Sequence, residues 1–391
     1  MRFDSHYQNY LNHLIHPRSL VSHEIDDGSS GPNYLIRNGK RLLNFGSSNY
    51  LGLNQHITLI EKSHKFAQRY GIGSGASRSV TANLAIYEEL EQCIAAGIGT
   101  PCALILGTGF QTNSTVLETI LESKTLQQQP IVFCDRFCHA SIYQGIKHLR
   151  PNRFRHNQLD HLEDLLNKHE GSERPKFIIA ESVYSMEGDQ VDMPKLIGLA
   201  KKHQAFLYLD DAHAVGVYGN NGWGSAADYR GQIDLVMGTF SKALGSFGAY
   251  VGCSLIMREY LINRCKGLIY STSLPPPILG AISAVIDLLP TLHKERLRVL
   301  SLAEKMRHFM SAEQLNYGNS TSHIVPWIIG STQKTLYAVE LLENQGILSV
   351  AIRPPSVPEG KSRIRFCFSA MHTDQEVDVL MEAMRFVIMK M

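Results

Sequence analysis

The stretch Phe206-Leu207-Tyr208-Leu209-Asp210-Asp211-Ala212-His213 decides the fold. Four apolar residues in a row are too short a run for a buried helix and suit a strand covered on both faces. Two aspartates and a histidine follow where such a strand would end. The same pattern recurs at 103–106, 131–134, 177–180, 235–237 and 249–252, each a short apolar run. Amphipathic stretches such as 161–169 and 193–203 lie between several of them. Short strands separated by helices predict an α/β protein with a mostly parallel sheet. Three consecutive prolines, Pro275-Pro276-Pro277, cannot continue a helix and mark a boundary. Beyond them the pattern predicts a long helical stretch over 278–310, short strands and a last helix over 374–389. The expected organisation is an N-terminal arm (1–48), a large α/β domain (49–277) and a smaller α+β C-terminal domain (278–391).

Composition narrows the function. The chain has 391 residues, 44% of them hydrophobic, with 38 Lys+Arg against 36 Asp+Glu and a net charge of +2. A chain of this size buries about three quarters of its unfolded surface, enough for a large core. A near-neutral balance with 8% aromatics lacks the basic stripe of a nucleic-acid binder. No run reaches the ~18 apolar residues that a membrane helix needs, and the polar start lacks a signal core. A cytoplasmic protein is expected. Seven cysteines are scattered along the chain, an odd number that fits reduced thiols rather than a disulfide framework. Cys134 and Cys138 sit just before His139, but no second ligand cluster stands at zinc spacing. They read as buried thiols, and no metal is expected.

Strands of a parallel sheet deliver functional groups at their carboxyl ends. After the run at 103–106 comes Gly107-Thr108-Gly109-Phe110, opening a helix-like stretch whose free backbone N–H groups suit a phosphate. After 131–134 come Asp135 and His139; after 177–180, Glu181 and Ser185. After 206–209 come Asp210, Asp211 and His213; after 235–237, Thr239, Ser241 and Lys242. The glycine-rich stretch 71–76 resembles a dinucleotide fingerprint but follows a helix-like segment, not a strand. A lysine at a strand end can form a Schiff base with an aldehyde, and an aspartate can keep a pyridine nitrogen protonated. With a phosphate cradle nearby, the set suits pyridoxal phosphate (PLP).

Three motifs carry a resemblance: Ala180-Glu181-Ser182-Val183-Tyr184-Ser185-Met186-Glu187-Gly188-Asp189, Asp210-Asp211-Ala212-His213 and Gly238-Thr239-Phe240-Ser241-Lys242. In type, order and spacing they resemble the α-oxoamine synthase family of fold-type I PLP-dependent transferases, over about 43–384. The resemblance implies that Lys242 holds the cofactor's aldehyde and later moves the substrate's Cα proton. Asp210 would pair with the pyridine nitrogen, His139 would stack on the ring, and His213 would meet the phenolic oxygen. Gly109, Phe110, Ser185, Thr239 and Ser241 would complete the cofactor site. Thr272, in Tyr270-Ser271-Thr272-Ser273, would reach the phosphate of a partner subunit, which implies a homodimer with active sites at its interface.

For the substrates, Arg365 matches the arginine that clamps the amino-acid carboxylate, and Ser356 a substrate-contacting residue. Ser48 stands where many members have Asn, and Tyr87 where a His is usual. Arg18 is the nearest counterpart of an N-terminal arginine that meets the acyl substrate. The implied reaction is a decarboxylative condensation of L-alanine with a pimeloyl thioester carried by CoA or a carrier protein. The alternative keeps the chemistry and takes a long-chain acyl-CoA. A cofactor-free scaffold has no physical need for Lys242, Asp210 and His139 together.

Overall fold

The computed structural model describes residues 3–14, 20–25 and 33–391. Its strands, in chain order, are β1 (Glu24–Ile25), β2 (Tyr34–Arg37), β3 (Lys40–Asn44), β4 (Cys102–Leu106) and β5 (Ile131–Asp135). Next come β6 (Asn152–Phe154), β7 (Lys176–Glu181), β8 (Ala205–Asp210), β9 (Leu235–Thr239) and β10 (Ala249–Cys253). The last are β11 (Ile324–Gly330), β12 (Ile347–Leu348), β13 (Ala351–Ile352) and β14 (Ser362–Cys367).

Seven strands form the central sheet in the order β4-β10-β9-β8-β7-β5-β6. Strands β5 to β9 pair in parallel, and β10 runs antiparallel to both neighbours. Pleat alternation separates two cores. In β4, Ala103 and Ile105 face one apolar cluster while Leu104 and Leu106 face the other. The second cluster packs under the helices Gly109–Ile120, Leu159–Asn167 and Met193–Lys202. The first continues into the C-terminal region, where β11, β14 and β13 form an antiparallel sheet.

Two local features depart from the sequence expectation. The expected single helix over 278–310 is two, Pro276–Leu288 and His293–Ala312, bent by 78°. Pro290 lies in the short 3-10 turn between them and has no N–H to continue the first helix. Pro276 and Pro277, in turn, open the first helix, where a missing N–H does no harm. Residues 33–44, read as part of an arm, supply β2 and β3 of a four-stranded sheet completed by β12. Leu43 pairs in parallel with Ile347. No single helix among the described residues is long and apolar enough to cross a membrane.

Candidate active site

The carboxyl ends of β4, β5, β7, β8 and β9 meet at one edge around a cavity of about 240 Å3. Gly109, Phe110, His139, Asp210, His213, Thr239, Ser241 and Lys242, all expected from sequence, line it. Thr108 caps the helix Gly109–Ile120, its hydroxyl accepting from the Gln111 amide at 3.1 Å. The other first-turn amides have no partner within the helix. Gly109 leaves this end open, since a Cβ there would sit 3.2 Å from the Met237 methyl. Thr239 and Ser241 share a hydroxyl hydrogen bond of 2.8 Å on the same wall.

Asp210 is buried and its carboxylate is held from two sides. Asn113 Nδ2 donates to Oδ2 at 2.7 Å and the Ala212 amide to Oδ1 at 3.0 Å. Asn113 also donates to Ser141 Oγ (2.9 Å) and accepts from the Tyr208 hydroxyl (2.7 Å). Ser141 reaches His139 Nδ1 at 2.7 Å, so one chain of hydrogen bonds fixes both the acid and the imidazole. Glu181 lies under the same loop and accepts the His139 amide at 2.5 Å. Burial and then the neighbouring Asp210 hold the Glu181 carboxyl well above the usual range. Burial pushes the Lys242 amine down to about 8, against the opposing pull of Asp210 and Glu181. A lysine near 8 is partly neutral at physiological pH and able to attack a carbonyl. Burial and the nearby Lys242 hold His213 well below its ordinary value, and the Tyr50 hydroxyl lies 2.8 Å from its Nδ1. These groups fit PLP: an amine for the aldehyde, an oriented acid for the ring nitrogen, and open helix amides with two hydroxyls for the phosphate.

The other expected residues lie outside this cavity. Ser185 is buried in the next loop, and its carbonyl accepts from Arg365 at 3.4 Å. The alternation in β14 puts both its arginines toward that loop, yet they differ in pairing. Arg363 is tied to Glu187 (2.8 Å) and the Met186 carbonyl, whereas Arg365 makes no ion pair among the described residues. The Ser48 carbonyl accepts from the Tyr50 amide at 2.9 Å. Thr272 is exposed and bridges to Ser77. Ser356 lines a neighbouring cavity. Arg18 falls outside the described residues. Cys134 and Cys138 are buried thiols, as expected.

Sequence reasoning missed Asn113, Ser141, Tyr50 and the orienting part of Glu181. The signal for Asn113 was its position, four residues after Gly109 and hence on the same helix face. Tyr50 had none, because it reaches His213 only through the tertiary fold. Behind Tyr50, the fully buried His323 presents both ring nitrogens without a partner among the described residues.

A buried ionic group braces the loop that carries His139. His156 lies between Asp135 (3.0 Å) and Asp189 (3.0 Å), and Asp135 also accepts the Phe137 and Asn157 amides at 2.7 Å. Burial alone would lower this imidazolium, but the hydrogen bonds to the two aspartates outweigh it and raise the pKa to about 10. A raised histidine pKa stabilises the fold fully below its unfolded value of about 6.5 and ceases to do so as pH rises through 10. Thermal melts of wild type and His156→Gln should therefore differ most near pH 6 and converge toward pH 10. A constant gap across that range would assign His156 a packing role only.

A family model, aminotransferase class I and II, matches residues 40–384. The 8-amino-7-oxononanoate synthase of Gluconacetobacter diazotrophicus is 43% identical over 389 residues, covering 98% of this chain and 97% of that one. Among solved structures, a variant of the serine palmitoyltransferase of S. paucimobilis, with a PLP–myriocin aldimine bound, superposes with a TM-score of 0.88 at 28% identity. That match covers 99% of this chain and 98% of the other. The 8-amino-7-oxononanoate synthase of Francisella tularensis gives 0.76 at 25% identity, over 89% of this chain and 97% of its own. Sheet order, site and relatives agree: the chain belongs to the aminotransferase class I and II family of PLP-dependent enzymes, within its α-oxoamine synthase branch.

Proposed function

We propose that this chain condenses L-alanine with a pimeloyl thioester, releasing the thiol and CO2, to give 8-amino-7-oxononanoate for biotin biosynthesis, as a cytoplasmic homodimer. The observation that carries the reading is the half-buried Lys242, which lines one cavity with Asp210, Glu181 and the open end of a helix and feels both carboxyl groups. Bound there, PLP supplies an electron sink for the pair left when the amino acid's Cα–H bond breaks. Asp210, steadied by Asn113 and the Ala212 amide, offers an anionic oxygen to a proton on the ring nitrogen. Lys242 Nζ, with a pKa near 8, takes and returns the proton at Cα. His139 covers the ring face and His213 meets the phenolic oxygen. The amides of Gly109 and Phe110, with Ser185, Thr239 and Ser241, serve the rest of the cofactor, and Thr272 reaches the partner subunit's phosphate. Ser48 and Ser356 serve the acyl substrate, and the resemblance assigns Arg18 to it as well.

Turnover separates this reading from its rival. The TM-score of 0.88 to a serine palmitoyltransferase favours a long-chain acyl-CoA as the second reading. The relative named for 8-amino-7-oxononanoate matches more closely in sequence, at 43% over nearly the whole chain. Steady-state rates with pimeloyl and palmitoyl thioesters, each with alanine and with serine, decide between them. Pimeloyl with alanine is expected to give the highest kcat/KM; a preference for palmitoyl would replace the reading.

Arg365 is the cation left for the amino-acid carboxylate. Arg365→Lys keeps the charge but loses the planar fork. It should weaken alanine binding about ten- to a hundredfold, the scale of one hydrogen bond to a charged group. The dependence on acyl thioester should change much less. An alanine titration of the holoenzyme's absorbance checks both. An unchanged titration would move the role away from Arg365.

A further inference from the structure

The segment carrying His139 stands between two cavities. His139 lines the first, while Arg136 and Phe137 line a second of about 350 Å3, together with Met186 and the turn bearing Ser356 and Val357. The second cavity is mostly apolar but holds two charged groups. Glu187 is paired with Arg363 at 2.8 Å. Arg136 makes no ion pair among the described residues; its guanidinium lies over the Phe137 ring, 4.8 Å from the centroid. Its backbone is pinned, the Arg136 amide donating to the Phe154 carbonyl at 3.1 Å. The residue is exposed, so its guanidinium stands between solvent and an apolar wall, where it can receive a chain that ends in an anion.

We propose that the acyl chain lies in this second cavity and that Arg136 binds the carboxylate at its far end. The inference rests on the pimeloyl reading above and names the residue that selects that chain. A carboxylate leaving water needs a cation, whereas an alkyl tail needs only an apolar wall. Length agrees as well. Arg136 lies three positions before His139, so their Cα atoms lie within about 11 Å. That span suits a seven-carbon chain that starts beside the cofactor; a sixteen-carbon chain would run far past Arg136. A guanidinium also matches a carboxylate in two parallel hydrogen bonds.

The test compares pimeloyl-CoA with heptanoyl-CoA, which has the same chain length and no tail carboxylate. Calorimetry on the holoenzyme without alanine reads Kd, and steady-state assays read KM. Wild type should bind pimeloyl-CoA about ten- to a hundredfold more tightly. Arg136→Met should abolish that preference by weakening pimeloyl-CoA alone, with heptanoyl-CoA binding and kcat retained as evidence of an intact fold. Arg136→Lys should restore part of the preference. If Arg136→Met keeps the full preference, the role of Arg136 is overturned while the pimeloyl reading stands. Loss of the preference in Arg18→Met, with Arg136→Met unaffected, would also overturn it and place recognition on the N-terminal arm. If wild type binds both thioesters equally, the pimeloyl reading falls and Arg136 with it.

Discussion

Lys242→Ala should lower turnover by about 10^4-fold or more, because the proposed function makes one residue both the covalent anchor and the proton carrier. The fold should survive. The amine is disfavoured in its charged form by burial, so removing it takes no stabilising charge from the core. Melting temperature should stay level or rise. Purified with added PLP and treated with borohydride, the variant should retain no cofactor on the chain after denaturation, whereas wild type should retain one equivalent. Labelling of another lysine in the variant would overturn the assignment. The pKa near 8 adds a pH signature. In the wild type, covalent capture of PLP should speed up as pH rises toward 8 and level off above it, since only the neutral amine attacks.

Asp210→Asn should leave PLP bound but cut kcat by about 10^2-fold or more, the scale on which one preorganised electrostatic partner contributes. The change is nearly isosteric. The Ala212 amide can still donate to the side-chain oxygen, and the hydroxyl and amide groups around Asn113 can rearrange to meet a new NH2 group. What is lost is the negative charge that, in the proposed function, holds a proton on the ring nitrogen. Exchange of the alanine Cα proton with solvent, followed by NMR, isolates that loss from later steps. Exchange at the wild-type rate would show that another group serves the nitrogen.

These two residues were legible in the sequence because each follows a short apolar run, and a parallel sheet turns that position into a site. The open helix end at the cavity was legible for the same reason, through Gly109 and its neighbours. Asn113 and Ser141 were not, since a polar residue inside a helix looks solvated until the fold shows what it faces. Arg363 and Arg365 illustrate a finer limit. Alternation placed both on one face, but only the position of Glu187 shows which of them is already paired. Pro290 carried its signal openly, and the long apolar pattern across it masked the break between the two helices.

The parallel pairing of Leu43 with Ile347 has a consequence for synthesis on the ribosome. Strands β2 and β3 emerge early and can form their hairpin at once, but the strand that completes their sheet is made about 300 residues later. At about 5–20 residues per second, one edge of β3 waits some 15–60 s for its partner. Through that interval Leu42 and Leu43, buried in the finished fold, stay uncovered beside an unpaired edge. The nascent chain is therefore most prone to aggregate before its last fifty residues appear, and chaperones that bind extended apolar segments should raise the yield of folded protein by shielding this hairpin.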